Sequence, residues 1–123
     1  MKLWTTALVA LVVILVIASA VLLFVPAEGK YDAFASCLSE KGAVFYGAFW
    51  CPHCSDQKNM FGSSAKYIPY VECSTSDGRS QLQVCRDAGV EGYPTWVFAD
   101  GSMLSGIQSF STLAERTGCT VDA

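Results

Sequence analysis

The sequence predicts an α/β fold: a mixed central sheet with helices on both faces, preceded by one apolar N-terminal segment. Three observations predict it. The run Gly42–Trp50 reads as a buried strand that passes straight into Cys51-Pro52-His53-Cys54 and a helical pattern. Helical and strand-like stretches then alternate to Ala88, and a hairpin marked by Asp100-Gly101 closes the order. Ahead of all this, Leu3–Val25 is a run of 23 residues without a charge.

That first segment matches the ~20 apolar residues a membrane-spanning helix needs. Ala18-Ser19-Ala20 would also suit signal-peptide cleavage, but Val21–Val25 continues the apolar run past it, which favours an uncleaved anchor. Lys2 and the amino terminus favour a cytoplasmic start. The expected organisation is therefore an anchor (or signal peptide) over residues 1–26, a polar linker over 27–32 and a folded domain over 33–123.

Within that domain, Tyr31–Lys41 reads as a helix with Phe34, Cys37 and Leu38 on one stripe and Gly42 as its stop. Val44–Trp50 is the first strand and Pro52–Lys66 the next helix, opened by a proline whose missing N–H costs nothing there. Tyr67–Cys73 follows as a strand with Pro69 pushing its start toward an edge. After the Ser74–Gly78 turn, Ser80–Ala88 is helical. Pro94 opens the strand Thr95–Ala99, Ser102–Ile107 returns antiparallel to it, and Ser111–Thr117 forms a last helix capped by Ser109 or Ser111.

All eleven acidic residues follow position 26, against seven lysines and arginines there, so no basic stripe suggests nucleic acid. Six cysteines in 123 residues point to an oxidising compartment. Cys51 falls at a helix N-terminus, where unpaired N–H groups and the positive end of the dipole favour a thiolate. Cys54, one turn on, is placed to attack a mixed disulfide formed at Cys51. A zinc site would want a second close pair, and Cys73 and Cys85 are twelve apart, so no metal is expected. Cys73–Cys85 is instead expected as a structural disulfide closing a short loop, with a second redox relay as the alternative. Cys37 is expected to be a buried free thiol and Cys119 a free, exposed one. Their helices are expected on opposite sheet faces, which leaves a Cys37–Cys119 bond as the lesser alternative.

Trp50-Cys51-Pro52-His53-Cys54, Gly92-Tyr93-Pro94-Thr95 and the Asp-Gly hairpin resemble the thioredoxin superfamily. Tyr-Gly-Ala-Phe-Trp-Cys-Pro-His-Cys and Tyr67-Ile-Pro-Tyr-Val-Glu-Cys73 resemble, more closely, the thioredoxin-like domain that accompanies vitamin K epoxide reductase homologues. The resemblance implies a thioredoxin-like fold, a cis Tyr93-Pro94 bond that offers the Tyr93 backbone to an extended substrate, and a modifying role for His53 as in the oxidising DsbA-type proteins. With Pro52 it completes the catalytic motif, and Trp50, Tyr93 and Pro94 are the expected substrate-binding residues. One departure stands out: thioredoxins carry a buried acid six residues before the first cysteine, and this chain has Phe45 there. Glu72 on the neighbouring strand is the candidate base for Cys54.

The expected function is a membrane-anchored, extracytoplasmic thiol–disulfide oxidoreductase that installs disulfides in exported proteins without a bound cofactor. A separate quinone-linked, vitamin K epoxide reductase-like membrane protein would reoxidise it. Two alternatives stay open. One is a reductase or isomerase fed with electrons across the membrane, and the other is a peptide-binding scaffold with a vestigial dithiol.

Overall fold

The computed structural model describes residues 1–25 and 27–121; Pro26, expected to end the apolar run, and residues 122–123 of the expected domain lie outside these. Helix α1 (Lys2–Leu23) has 22 residues, all of its side chains exposed. At 1.5 Å per residue it is about 33 Å long, enough to cross a hydrocarbon layer of about 30 Å. Its hydroxyls carry no unmet hydrogen bonds into such a layer: Thr5 and Thr6 donate to the carbonyls of Lys2 and Leu3 at 2.9 Å, and Ser19 to that of Leu15 at 2.7 Å.

The folded part runs α2 (Asp32–Glu40), β1 (Val44–Gly47), α3 (Pro52–Phe61), β2 (Tyr70–Glu72), α4 (Gln83–Asp87), β3 (Thr95–Val97), β4 (Met103–Ser105) and α5 (Phe110–Thr117). The sheet order is β2-β1-β3-β4, with β1 and β2 parallel and the other two pairings antiparallel. The parallel pair needs a crossover, which α3 supplies, and the β3–β4 pair needs only the Asp100-Gly101 turn. This is the thioredoxin-like arrangement the sequence predicts.

Alternation along the strands divides the molecule. Phe45 and Trp96 face one side, where they join Phe34 and Leu38 of α2, Cys54 and Phe61 of α3 and Leu113 of α5 in the main core. The rings of Phe45 and Trp96 stack at 4.9 Å, and Phe34 meets Phe61 and Phe110 at 5.9 and 5.3 Å. Tyr46, Val71 and Val97 face the other side and pack on Cys73, Cys85 and Val90, the smaller core beneath α4. Gln57, wholly buried, locks the main core: its side-chain oxygen accepts from Trp96 Nε1 at 3.1 Å and from the Gln108 N–H at 2.7 Å.

The placement of α2 and α5 corrects one expectation. They cover the same face, where Phe110 at the start of α5 sits 4.7 Å from the ring of Tyr31. Gly118, at φ 76°, then turns the chain back toward α2. Cys37 and Cys119 are accordingly disulfide-bonded, with Cα atoms 5.9 Å apart, and neither is a free thiol. Cys119 is buried rather than exposed. The expected Cys73–Cys85 disulfide is present, its Cα atoms 5.6 Å apart.

Several elements are shorter than the sequence reading. The Val44–Trp50 strand ends at Gly47, because the Cys51 N–H bonds the Ala48 carbonyl at 3.0 Å and bends the chain into a turn. The Pro52–Lys66 helix becomes 3-10 from Gly62, whose φ of 56° ends the α-helical ladder. Ser109 is the cap of α5, its hydroxyl accepting the Thr112 N–H at 3.1 Å.

Candidate active site

Cys51 occupies the N-cap of α3, with Pro52 in the first turn. In place of a hydroxyl, its sulfur accepts the N–H of Cys54 at 3.2 Å. A negative charge forming on that sulfur therefore meets a backbone donor and the positive end of the helix. Both cysteines are free thiols and both are buried, Cys51 at 5% exposure and Cys54 at 1%. Burial pushes the Cys54 thiol up to about 12, and its hydrogen bond with Cys51 adds to the effect. Cys54 thus holds its proton firmly while Cys51 sits at the edge of the surface.

Close packing around Cys54 depends on a missing side chain. A Cβ at Gly47 would lie 3.1 Å from the Cys54 sulfur and 2.9 Å from Cε2 of Tyr70. A glycine inside a strand commonly marks such an approach. Tyr70 donates its hydroxyl to Glu72 Oε2 at 2.7 Å, and the ammonium of Lys58 lies 3.5 Å from the centre of its ring. Burial and the Glu72 carboxylate hold the Tyr70 phenol well above its ordinary range.

The rim of the site is aromatic. Phe49 and Trp50 are 61% and 52% exposed beside the buried dithiol. Trp50 Nε1 donates to Ser74 Oγ at 2.9 Å, and the Trp50 ring meets that of Tyr93 edge-on at 5.9 Å. The Tyr93-Pro94 bond is cis. Of the expected substrate-binding residues, Trp50 and Tyr93 are thus in ring contact, with Pro94 joined to Tyr93 by the cis bond. His53 stands apart from this cluster in one respect: its side chain is 72% exposed and its Nδ1 is 3.8 Å from Asp56 Oδ2.

Phe45, at the position where thioredoxins carry an acid, is a core residue packed between Trp96 and Tyr70. Glu72 is near the dithiol loop, but its oxygens are engaged: Oε1 accepts the N–H groups of Phe49 at 3.2 Å and Ser74 at 2.9 Å, and Oε2 takes the Tyr70 hydroxyl. Sequence reasoning passed over Ser74, Tyr70 and Lys58. Ser74 gave no signal within a turn of serines and threonines. Tyr70, however, lies in the quoted Tyr-Ile-Pro-Tyr-Val-Glu-Cys stretch, and its alternation with Glu72 places both on one face of β2.

No family model matches the chain. Over 94 residues it is 47% identical to thiol-disulfide oxidoreductase LTO1 of Arabidopsis thaliana, a match covering 73% of this chain and 25% of that protein. Over 71 residues it is 37% identical to a protein disulfide-isomerase of Aspergillus niger, covering 52% of this chain and 13% of that protein. The chain therefore spans a quarter or less of the length of these relatives. A free dithiol capping a helix, a cis Tyr93-Pro94 bond and this sheet order make a thioredoxin-like fold, and similarity to these thiol–disulfide enzymes supports a place in the thioredoxin-like superfamily.

Proposed function

We propose that this chain is a membrane-anchored thiol–disulfide oxidoreductase that oxidises cysteine pairs in exported proteins. The observation that carries the reading is the asymmetry of the dithiol: Cys51 Sγ at the helix N-cap accepts a backbone N–H, while Cys54 is buried and keeps its proton. A substrate thiolate attacks Cys51 Sγ of the Cys51–Cys54 disulfide, forming a mixed disulfide and expelling Cys54, which takes up a proton. A second substrate thiolate then attacks the substrate's own sulfur in that mixed disulfide. The substrate leaves with a disulfide, Cys51 departs as thiolate, and the couple has gained two electrons.

A reluctant Cys54 favours this direction. The competing step is return attack by Cys54 on the mixed disulfide, and only the thiolate is a nucleophile. At neutral pH a thiol pushed up to about 12 is almost wholly protonated, so the second substrate thiol has time to act. Trp50, Tyr93 and Pro94 serve as the substrate platform, with His53 and Pro52 as modifiers of the motif. The two further disulfides support an oxidising, extracytoplasmic location for the domain. Reoxidation is assigned to a quinone-linked, vitamin K epoxide reductase-like membrane partner, on the resemblance of the dithiol and Tyr67–Cys73 stretches. A second reading, isomerisation, has the name of the Aspergillus niger relative in its favour.

The test is the reduction potential of the Cys51–Cys54 couple, equilibrated against glutathione in the detergent-solubilised full chain. A value near about -120 mV marks a disulfide donor, one near about -180 mV an isomerase, and one near about -270 mV a reductant, which sinks the proposal. Cys54→Ala should accumulate mixed disulfides through Cys51.

A further inference from the structure

The β1–β2 ladder ends where the Cys73 N–H bonds the Gly47 carbonyl at 2.8 Å, four residues before the nucleophile. Beyond that rung the two chains diverge, and the N–H of Phe49 has no strand partner. Glu72, in register with Gly47, fills the gap with its side chain. One carboxylate oxygen holds the N–H of Phe49 and the N–H of Ser74 together, and Ser74 in turn holds the indole of Trp50. The other oxygen is fixed by Tyr70, whose ring is seated between Phe45 and the Lys58 ammonium. Oε1 therefore holds the segment that delivers Cys51, through Phe49 directly and through Ser74 to Trp50, while Tyr70 fixes the other oxygen.

We propose that Glu72 is a positioning residue, a clasp that fixes Phe49, Trp50 and so Cys51 at the mouth of α3, and that it is not the proton acceptor for Cys54. The proposal rests on the reading of Cys51–Cys54 as the redox couple, and it reverses the role expected of Glu72 from sequence. A carboxylate that already accepts three hydrogen bonds has most of its roughly four acceptor sites committed to structure. An acceptor of two backbone N–H groups is also the kind of partner whose loss displaces a loop, because the freed donors must find water or another oxygen.

Positioning and base catalysis leave different marks. A base changes the rate of thiol exchange and leaves its equilibrium alone. A clasp changes the equilibrium, because the reduced state is the one in which the Cys51 sulfur is held against the Cys54 N–H. Loss of the clasp should weaken the reduced form and make the couple less oxidising. In the full-length chain in detergent, Glu72→Ala should shift the exchange constant with glutathione by about tenfold, equivalent to about 30 mV, toward the reducing side. Glu72→Gln, which keeps an oxygen where Oε1 stands, should stay within about threefold of the parent in both constant and rate. If both variants instead slow exchange equally and leave the constant unchanged, Glu72 is a base and the proposal is overturned. Should the alanine variant fail to fold, the glutamine variant decides: parent-like rate supports the clasp, and a tenfold slower rate at an unchanged constant overturns it. Hydrogen exchange at the Phe49 amide provides a readout that survives failure of the redox reading itself. It should be protected in the parent and in Glu72→Gln, and a parent that exchanges this amide freely has no clasp.

Discussion

Two cysteine pairs lie within a few residues of each other across the β1–β2 edge, and they have opposite fates. Cys73 and Cys85 are both at 0% exposure, joined through the small core beneath α4 with Val90. Cys51 and Cys54 are separate thiols on the first turn of α3, bordered by the exposed rings of Phe49 and Trp50. Residue type and compartment are common to both, so the difference lies in the helix. A cysteine at an N-cap has a backbone donor pointed at its sulfur and a surface on one side. Cys73 and Cys85, wholly buried in the small core, have no surface on one side, and we propose that their bond holds a loop closed.

The sharpest way to break the comparison is to exchange a serine for one cysteine of each pair. Cys51→Ser should reduce thiol exchange to background, because the first covalent step is lost. Cys73→Ser should lower stability and leave measurable turnover in the molecules that remain folded. Loss of exchange in a folded Cys73→Ser chain would mean that both pairs take part in electron transfer. The measurement is exchange with a fluorescent dithiol reporter, normalised to the folded fraction.

The third pair extends the contrast from chemistry to stability. Cys37–Cys119 closes a loop with a separation of 82 residues, and Cys73–Cys85 one of 12. By loop-closure entropy the long bridge should contribute about 4.5 kcal/mol and the short one about 3 kcal/mol. Denaturant unfolding of Cys37→Ala/Cys119→Ala and Cys73→Ala/Cys85→Ala double variants, monitored by tryptophan fluorescence, should show the larger loss in the first. The reverse order would place the weight on the small core beneath α4 rather than on chain entropy.

Much of this contrast was legible in the sequence. A dithiol between an apolar strand and a proline-led helix declares both its position and its chemistry, because helix ends follow local rules. The Cys73–Cys85 bond was likewise readable, from a twelve-residue separation around a turn. Cys37–Cys119 was not: it depends on which sheet face α5 covers, a tertiary fact set by Phe110 packing among Tyr31, Phe34 and Phe61. Strand ends failed for a related reason. Phe49 and Trp50 continue the apolar run of β1, yet a side chain from β2 replaces the ladder there, and no local pattern announces that substitution. Glu72 was noticed for its charge, while its hydrogen bonds to the Phe49 and Ser74 N–H groups depend on tertiary placement that the sequence does not show.

The smallest expected effect concerns Cys54, and it tests whether burial sets the division of labour within the dithiol. The folded protein holds this thiol at about 12 against an ordinary 9.0, with burial the leading cause and the hydrogen bond with Cys51 the next. Below the plateau, each pH unit raises the thiolate fraction tenfold, worth about 1.4 kcal/mol. Burial, the leading cause, persists when Cys51 is in a mixed disulfide, so its release by Cys54 should keep accelerating about tenfold per unit past the ordinary thiol value. An ordinary thiol would flatten as the medium passed 9.0. The linked effect on stability has a definite sign. Because the folded state binds this proton more tightly than the unfolded chain, the reduced protein keeps the contribution below the ordinary thiol value and loses it progressively from there up to about 12. Stopped-flow release of a substrate peptide from the Cys51 mixed disulfide reads the first effect directly. A plateau near the ordinary thiol value would show that Cys54 reaches solvent before it attacks, and that the two sulfurs of the motif differ by position on the helix alone.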